Sequence, residues 1–217
     1  MTLAMTTDVK ICGITDPEAM EAAIRHGADL VGLVFFPPSP RNVAVEEAAM
    51  LAARVPDRVI KVGLFVDPDD GLIDRVLGGV ALDAIQLHGD EPVERCAAIR
   101  ARAGKQVFKA IKVRAEEDLA AATRHAEVCD RLLFDAKPPA DATRPGGNAE
   151  TFDWTVLEGR SWAVPWLLAG GLTADNVAGA IRLTGCPGVD TSSGVESAPG
   201  RKDPGRIKAF LEAARRA

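Results

Sequence analysis

This chain never sets two cysteines close together. Cys12, Cys96, Cys129 and Cys186 are widely spaced and no CxxC occurs, which argues against a zinc ribbon and a disulfide framework. Free thiols suit a reducing compartment, so a cytoplasmic location is expected. Histidine is scarce too: His26 and His125 fall in helical stretches, leaving His88 alone to reach a site. A metal mechanism built on several imidazoles therefore lacks ligands, and no metal is expected. No apolar run approaches the roughly 20 residues of a membrane-spanning helix. The first seven residues lack a basic start and a long apolar stretch, so no secretory signal is expected, and Met5 is an alternative initiator. A net charge of −5 leaves little prospect of the basic patch that nucleic acid or an acidic membrane surface would require. The dinucleotide fingerprint GxGxxG does not follow the first apolar run.

What the chain does have is alternation. Its 217 residues, 47% hydrophobic and 26% charged, fit one globular domain over 1–217, with no linker or shift of composition to divide it. Continuous apolar runs at Val9–Cys12, Leu30–Phe35, Val59–Phe65, Ala84–Leu87, Val107–Ile111, Leu132–Phe134, Pro165–Ala169 and Gly188–Asp190 read as strands covered on both faces. Alanine- and charge-rich stretches lie between them at helical spacing: Glu18–His26, Ala44–Arg54, Leu72–Leu77, Pro92–Arg102, Glu116–Glu127, Thr173–Arg182 and Pro204–Arg215. Phe152–Leu157 is the weakest of the helical stretches. About eight such units in roughly 200 residues is the count of an α/β-class (β/α)₈ TIM barrel at the compact end of its size range. An open doubly wound sheet is the rival.

In a barrel every strand ends at one mouth, so the residues at strand ends carry the chemistry. Cys12 closes the first strand. Gly13 allows a bend after it, and Thr15 with Glu18 reads as a capping box with Pro17 in the first turn. Such a thiol is either a small apolar filler or a reactive group aimed into a cleft. Asp135 closes the sixth strand, and a proline-rich segment follows it rather than a helix it could cap. Thiol and carboxyl could thus form a base and acid pair. Arg41 ends a loop stiffened by Pro37, Pro38 and Pro40, and its planar fork suits a carboxylate. His88, after the fourth strand, offers a polar contact. The glycine-bearing turns Ala169-Gly170-Gly171 and Thr191-Ser192-Ser193-Gly194 follow the last two strands, where barrels commonly bind phosphate through backbone N–H groups.

Together, Lys10-Ile11-Cys12-Gly13, Phe35-Phe36-Pro37-Pro38-Ser39-Pro40-Arg41, Gln86-Leu87-His88-Gly89, Phe134-Asp135, Leu168-Ala169-Gly170-Gly171-Leu172 and Gly188-Val189-Asp190-Thr191-Ser192-Ser193-Gly194-Val195-Glu196 resemble the motifs of the phosphoribosylanthranilate isomerase family of tryptophan biosynthesis, in its order. The resemblance covers almost the whole chain. It implies a single barrel and an aldose–ketose isomerisation by Amadori rearrangement, with neither metal nor organic cofactor. It makes Cys12 the general base, Asp135 the general acid and Arg41 the clamp on the anthranilate carboxylate. Gly170, Gly171, Ser192, Ser193 and Gly194 would hold the phosphate, with Gln86, His88 and Asp190 in supporting contact with substrate. The partner expected is a small phosphosugar, with the chain monomeric or a homodimer. The loop before Phe152 departs from the family pattern: Gly146-Gly147 is followed by Asn148-Ala149-Glu150.

The chemistry needs one acid and one base. A free thiol near pKa 8.5 is only a few per cent ionised at neutral pH, so Lys10, two residues earlier on the same strand face, is expected to lower the Cys12 pKa. Three other readings stay open. A metal-dependent phosphosugar epimerase would need more histidines, and an indole-glycerol-phosphate synthase would need catalytic lysine and glutamate at strand ends. A silent phosphosugar binder would need neither Cys12 nor Asp135.

Overall fold

A computed structural model describes residues 7–137 and 151–217. The proline-rich segment that follows Lys137, the departure from the family pattern before Phe152 and the alternative initiator lie outside them. Eight parallel strands close into a barrel in sequence order. They are β1 (Asp8–Cys12), β2 (Leu30–Val34), β3 (Ile60–Phe65), β4 (Ala84–Leu87), β5 (Gln106–Val113), β6 (Arg131–Ala136), β7 (Trp166–Leu168) and β8 (Gly188–Thr191). The closing pair is β1 with β8, in register Asp8 to Gly188 and Lys10 to Asp190. The open-sheet rival is excluded.

Outside the strands pack α1 (Pro17–Arg25), α2 (Val45–Ala52), α3 (Asp70–Gly79), α4 (Val93–Ala103), α5 (Ala120–Ala126), α6 (Val177–Thr184) and α7 (Pro204–Arg215). Between β6 and β7 the described residues hold only a 3₁₀ turn, Trp154–Leu157, so the weak helical stretch there is shorter than a full α-helix. A short hairpin, β9 (Glu196–Ala198) and β10 (Arg201–Lys202), stands between β8 and α7. Among the described residues no helix is long and apolar enough to cross a membrane.

Local chemistry sets the helix starts. The Asp16 carboxylate accepts from Ala19 N at 2.9 Å, and Asp69 and Asp203 cap α3 and α7 in the same way. The capping box expected from Thr15 and Glu18 does not form. Asp16, one residue on, takes the cap, and Thr15 Oγ1 instead donates to Gly200 O at 3.1 Å. Gly104 and Gly185 end α4 and α6 with φ of 59° and 63°, a left-handed turn that glycine adopts without a Cβ clash.

Strand alternation divides the core in two. One set of side chains packs beneath the helices in a large continuous cluster that includes Val9, Ile11, Val31, Phe65, Leu87 and Phe134. The other points to the barrel axis, where Leu30, Val62, Ala84 and Phe108 form one apolar layer and Ala110, Leu133, Leu167 and Ala169 another. Both faces of each strand are buried, which is why the strands read as continuous apolar runs. On β1, β4, β6 and β8 the inward set continues upward into polar residues. Lys10, Gln86, Asp135 and Asp190 share the alternation of the apolar layers beneath them, so the axial core carries the site directly on top of it.

Candidate active site

Two buried charge systems and one relay line the mouth. Lys10 is fully buried and its Nζ donates to Asp190 Oδ1 at 3.0 Å, across the β1–β8 seam that closes the barrel. Burial opposes its charge, but Asp190 and Cys12 outweigh burial and hold the ammonium above its ordinary pKa. Cys12 lies directly above Lys10 on β1. Gly32, opposite it on β2, makes room for it: a Cβ there would stand 2.8 Å from the Cys12 sulfur and 3.3 Å from Lys10 Nζ. The thiol and ammonium thus share one small space. Burial pushes the Cys12 thiol above its ordinary value, Lys10 pulls it back, and Asp190 raises it again. The expected lowering by Lys10 therefore has the right direction but loses to desolvation, because Lys10 is already neutralised by Asp190.

On the far side of the barrel, Asp135 occupies the next-to-last position of β6. Its Oδ1 accepts from Ala136 N at 2.9 Å, and its Oδ2 lies 3.1 Å from His88 Nε2. His88 Nδ1 lies 3.0 Å from Gln86 Nε2. If the Gln86 amide donates, His88 carries its proton on Nε2 and donates it to the carboxylate. Gln86, His88 and Asp135 thereby form a line of hydrogen bonds from β4 to β6. Gln86 Oε1 is buried with no partner among the described residues, so turning the amide over would suit a His88 protonated on Nδ1 instead.

The loops after β7 and β8 touch both groups. Gly170 and Gly171 are both left-handed, at φ 83° and 65°, and a Cβ on Gly170 would stand 3.4 Å from Asp135 Oδ1. Asn176 fixes this turn, donating from Nδ2 to Gly171 O at 3.0 Å and accepting from Thr173 N at 2.8 Å. Thr191 Oγ1 donates to Leu172 O at 2.8 Å, tying the two loops together. Gly194 packs so tightly on Leu172 O that a Cβ would come within 1.9 Å. On the opposite side, Gly13 lies between Ser192 and the Arg41 stem, its would-be Cβ 3.1 Å from Ser192 Oγ and 2.6 Å from Arg41 Cδ. Ser193 opens the short 3₁₀ turn Ser193–Val195.

Arg41 is buried, and its fork is held by a residue the sequence reading did not single out. Nε donates to Glu196 Oε1 at 2.7 Å and Nη2 to Glu196 Oε2 at 2.9 Å. Lys202 Nζ donates to the same Glu196 Oε1 at 2.8 Å, to Ser192 O at 2.9 Å and to Ser192 Oγ at 3.0 Å. Burial pulls the Glu196 carboxyl upward, but Arg41 and Lys202 outweigh it and hold the group below its ordinary value. Burial lowers the Lys202 ammonium despite Glu196. Nothing local in the sequence marks these partners, since 155 residues separate Arg41 from Glu196. The one available signal was their place in the run after β8. No group of three or more His, Cys, Asp or Glu among the described residues could hold a metal ion.

The chain is similar to known proteins in sequence and in fold. Residues 9–213 match the family model described as N-(5'phosphoribosyl)anthranilate (PRA) isomerase. An N-(5'-phosphoribosyl)anthranilate isomerase of Paramagnetospirillum magneticum is 59% identical over 211 residues, covering 97% of this chain and 98% of that one. The crystal structure of phosphoribosyl anthranilate isomerase from Thermotoga maritima superposes with a TM-score of 0.86 at 38% identity, covering 98% of this chain and all of the other. A phosphoribosyl anthranilate isomerase solved in complex with reduced 1-(o-carboxyphenylamino)-1-deoxyribulose 5-phosphate gives a TM-score of 0.83 at 36% identity, with 98% and 100% covered.

Proposed function

Since the chain belongs to the N-(5'-phosphoribosyl)anthranilate isomerase family, we propose that Cys12 is the base and Asp135 the acid of its reaction. The activity is the isomerisation of N-(5'-phosphoribosyl)anthranilate in tryptophan biosynthesis, an aldose–ketose isomerisation by Amadori rearrangement. One observation carries the assignment of residues. The thiol and the carboxyl stand on separate strands yet border the same pair of loops, Asp135 against Gly170 and the Cys12–Gly13 turn against Ser192.

In this reading a phosphate sits between the loops after β7 and β8, on backbone N–H groups at Gly170, Gly171, Ser193 and Gly194 with the Ser192 hydroxyl. That anchor holds the sugar between the two catalytic groups. Protonated Asp135 gives its proton to the furanose ring oxygen, the C1′–O bond breaks, and the nitrogen lone pair forms a Schiff base. The Cys12 thiolate then removes the proton on C2′, giving an enolamine that tautomerises to the ketone. Arg41 holds the anthranilate carboxylate. Lys10 favours the thiolate while Asp190 keeps Lys10 charged, and Gln86 and His88 hold Asp135 in place. The whole chain acts as one catalytic domain on a small phosphosugar.

Substitution separates the roles. Cys12→Ser and Asp135→Asn should each lower kcat at least about 10²-fold, the lower end of acid–base contributions. Binding of the reduced product analogue should change little, as both groups act on protons rather than on anchoring. A fluorescence assay of substrate loss with parallel titration calorimetry reads both. Turnover near that of the unsubstituted chain in either variant would remove that residue from the mechanism, and binding without turnover in the unsubstituted chain would favour the silent binder.

A further inference from the structure

The loop after β7 runs to α6 through two consecutive left-handed glycines, Gly170 and Gly171. Two residues without a Cβ leave a turn many conformations, so its shape has to be held from outside. Asn176, the residue before α6, holds it. Its Oδ1 accepts from Thr173 N at 2.8 Å, and its Nδ2 donates to Gly171 O at 3.0 Å. The reverse amide would set donor against donor and acceptor against acceptor, so these two neighbours fix its orientation.

The two bonds do different work. The one to Thr173 N has the form of the returning half of a capping box, on a turn where Thr173 O accepts from Asn176 N at 3.3 Å and Val177 N at 3.0 Å. A carboxylate could make that bond, but only an amide can also donate to Gly171 O. Asn176 thereby grips both peptides beside Leu172. The peptide after Leu172 is held at its N–H by Asn176 and at its carbonyl by Thr191 Oγ1, at 2.8 Å. The peptide before it is held at the carbonyl by Asn176. The N–H groups of Gly170, Gly171 and Leu172 donate to no described residue. In a trans peptide the N–H points opposite to the C=O, so a flip of the Gly171–Leu172 peptide would put a carbonyl oxygen where an N–H now stands. An anion is held by N–H groups and repelled by that oxygen.

We propose that Asn176 is a positioning residue for the substrate phosphate: its amide locks the Gly171–Leu172 peptide so that the carbonyl is kept off the anion and the N–H groups of the turn are left for it. This rests on the reading that the phosphate sits between the loops after β7 and β8. Asn176 acts through the turn and not on the reacting atoms, so its loss should fall on phosphate binding rather than on the proton transfers.

The test compares two substitutions that both lose the donor to Gly171. Asn176→Asp keeps an acceptor for Thr173 N, and Asn176→Ala loses both bonds but adds no charge. Substrate KM should rise at least about tenfold in both, with kcat within about threefold, as expected when uniform binding is lost. Calorimetry with the reduced product and its dephosphorylated counterpart should show the preference for the phosphate falling about tenfold in both, the scale of one hydrogen bond to a charged group. Inorganic phosphate, as a competitor, should also inhibit more weakly. A fall in Asn176→Asp alone would assign the effect to charge repulsion, and a fall in Asn176→Ala alone to the bond with Thr173. Either result would overturn the inference, as would unchanged KM and preference, or equal falls in kcat and kcat/KM. Failure of both variants to accumulate as folded protein, read by circular dichroism, would also overturn it and leave Asn176 a purely structural residue. Ser193→Asp keeps the two readings apart, since it sets a carboxylate in the loop after β8. If the phosphate preference survives that change, the phosphate reading fails. If the preference is lost there while both Asn176 variants keep it, the phosphate reading stands and the Asn176 inference falls.

Discussion

At the scale of single residues, the mouth works by setting groups against their own preferences. Burial favours the neutral thiol at Cys12, and chiefly the ammonium of Lys10 opposes it, with a smaller pull from Lys202. The thiolate is therefore a minor form at neutral pH, held ready beside a cation. The sign follows directly: a raised pKa means the reactive anion keeps growing as pH climbs beyond the ordinary thiol value of about 8.5. Alkylation of Cys12 by iodoacetamide, followed by peptide mass mapping across pH, should show a midpoint above that value. Lys10→Met should move the midpoint higher still, since it removes the attractive partner. A midpoint below about 8.5 would mean that Lys10 outweighs burial. Gly32 belongs to the same account, because any larger residue there would displace the sulfur.

At the scale of elements, the chain fastens its loops with buried ion pairs that begin on neighbouring strands. Lys109 on β5 is one example. Its Nζ donates to Gly89 O at 2.8 Å and pairs with Glu91 Oε2 at 2.7 Å, while Glu91 Oε1 accepts from Asp67 N at 2.8 Å and Gly89 N at 3.1 Å. The turn that carries His88 is held from both sides. Lys109→Met would leave the Glu91 carboxylate buried and unpaired, a change that costs about 3–5 kcal/mol when one partner of a buried pair is removed. Urea unfolding should show that loss, and kcat should fall as His88 loosens from Asp135. Adding Glu91→Met should restore part of the stability, since removing both charges leaves none uncompensated. Strands and fasteners differ in how far the sequence discloses them. The bounds of β1, β2 and β4 follow from apolar runs buried on both faces, a local signal. The Thr15 cap failed because a better cap stood one residue away, and the long-range pairs of Glu91 and Glu196 have no local signal at all. The places of Cys12 and Asp135 were legible as strand ends and that of Arg41 as the end of a proline-stiffened loop, whereas Glu196, Lys202 and Asn176 are disclosed only by their contacts.

At the scale of the whole molecule, the site is assembled from strands that are distant in sequence and open onto one mouth. Cys12 comes from the first strand and Asp135 from the sixth, and the loops proposed to hold the phosphate follow the last two. The seam between β1 and β8 carries the Lys10–Asp190 pair, so closing the barrel also sets the Lys10 ammonium beside the Cys12 thiol. The outer layer is sewn at the same place: Arg215 in the last turn of α7 donates to Thr7 O, to Gly27 O at 2.8 Å and to Asp29 Oδ2 at 2.6 Å. A ring of similar units in which Thr7 meets the last turn of α7 has no mechanical need for a fixed starting point. Joining the ends by a short linker and reopening the chain at the exposed Gly104 turn should give a protein that folds and turns over substrate at a comparable rate, measured by the same fluorescence assay. An inactive but folded permutant would mean that the mouth depends on the order in which its strands are made, and a comparable rate would make this enzyme a circle that translation happens to cut.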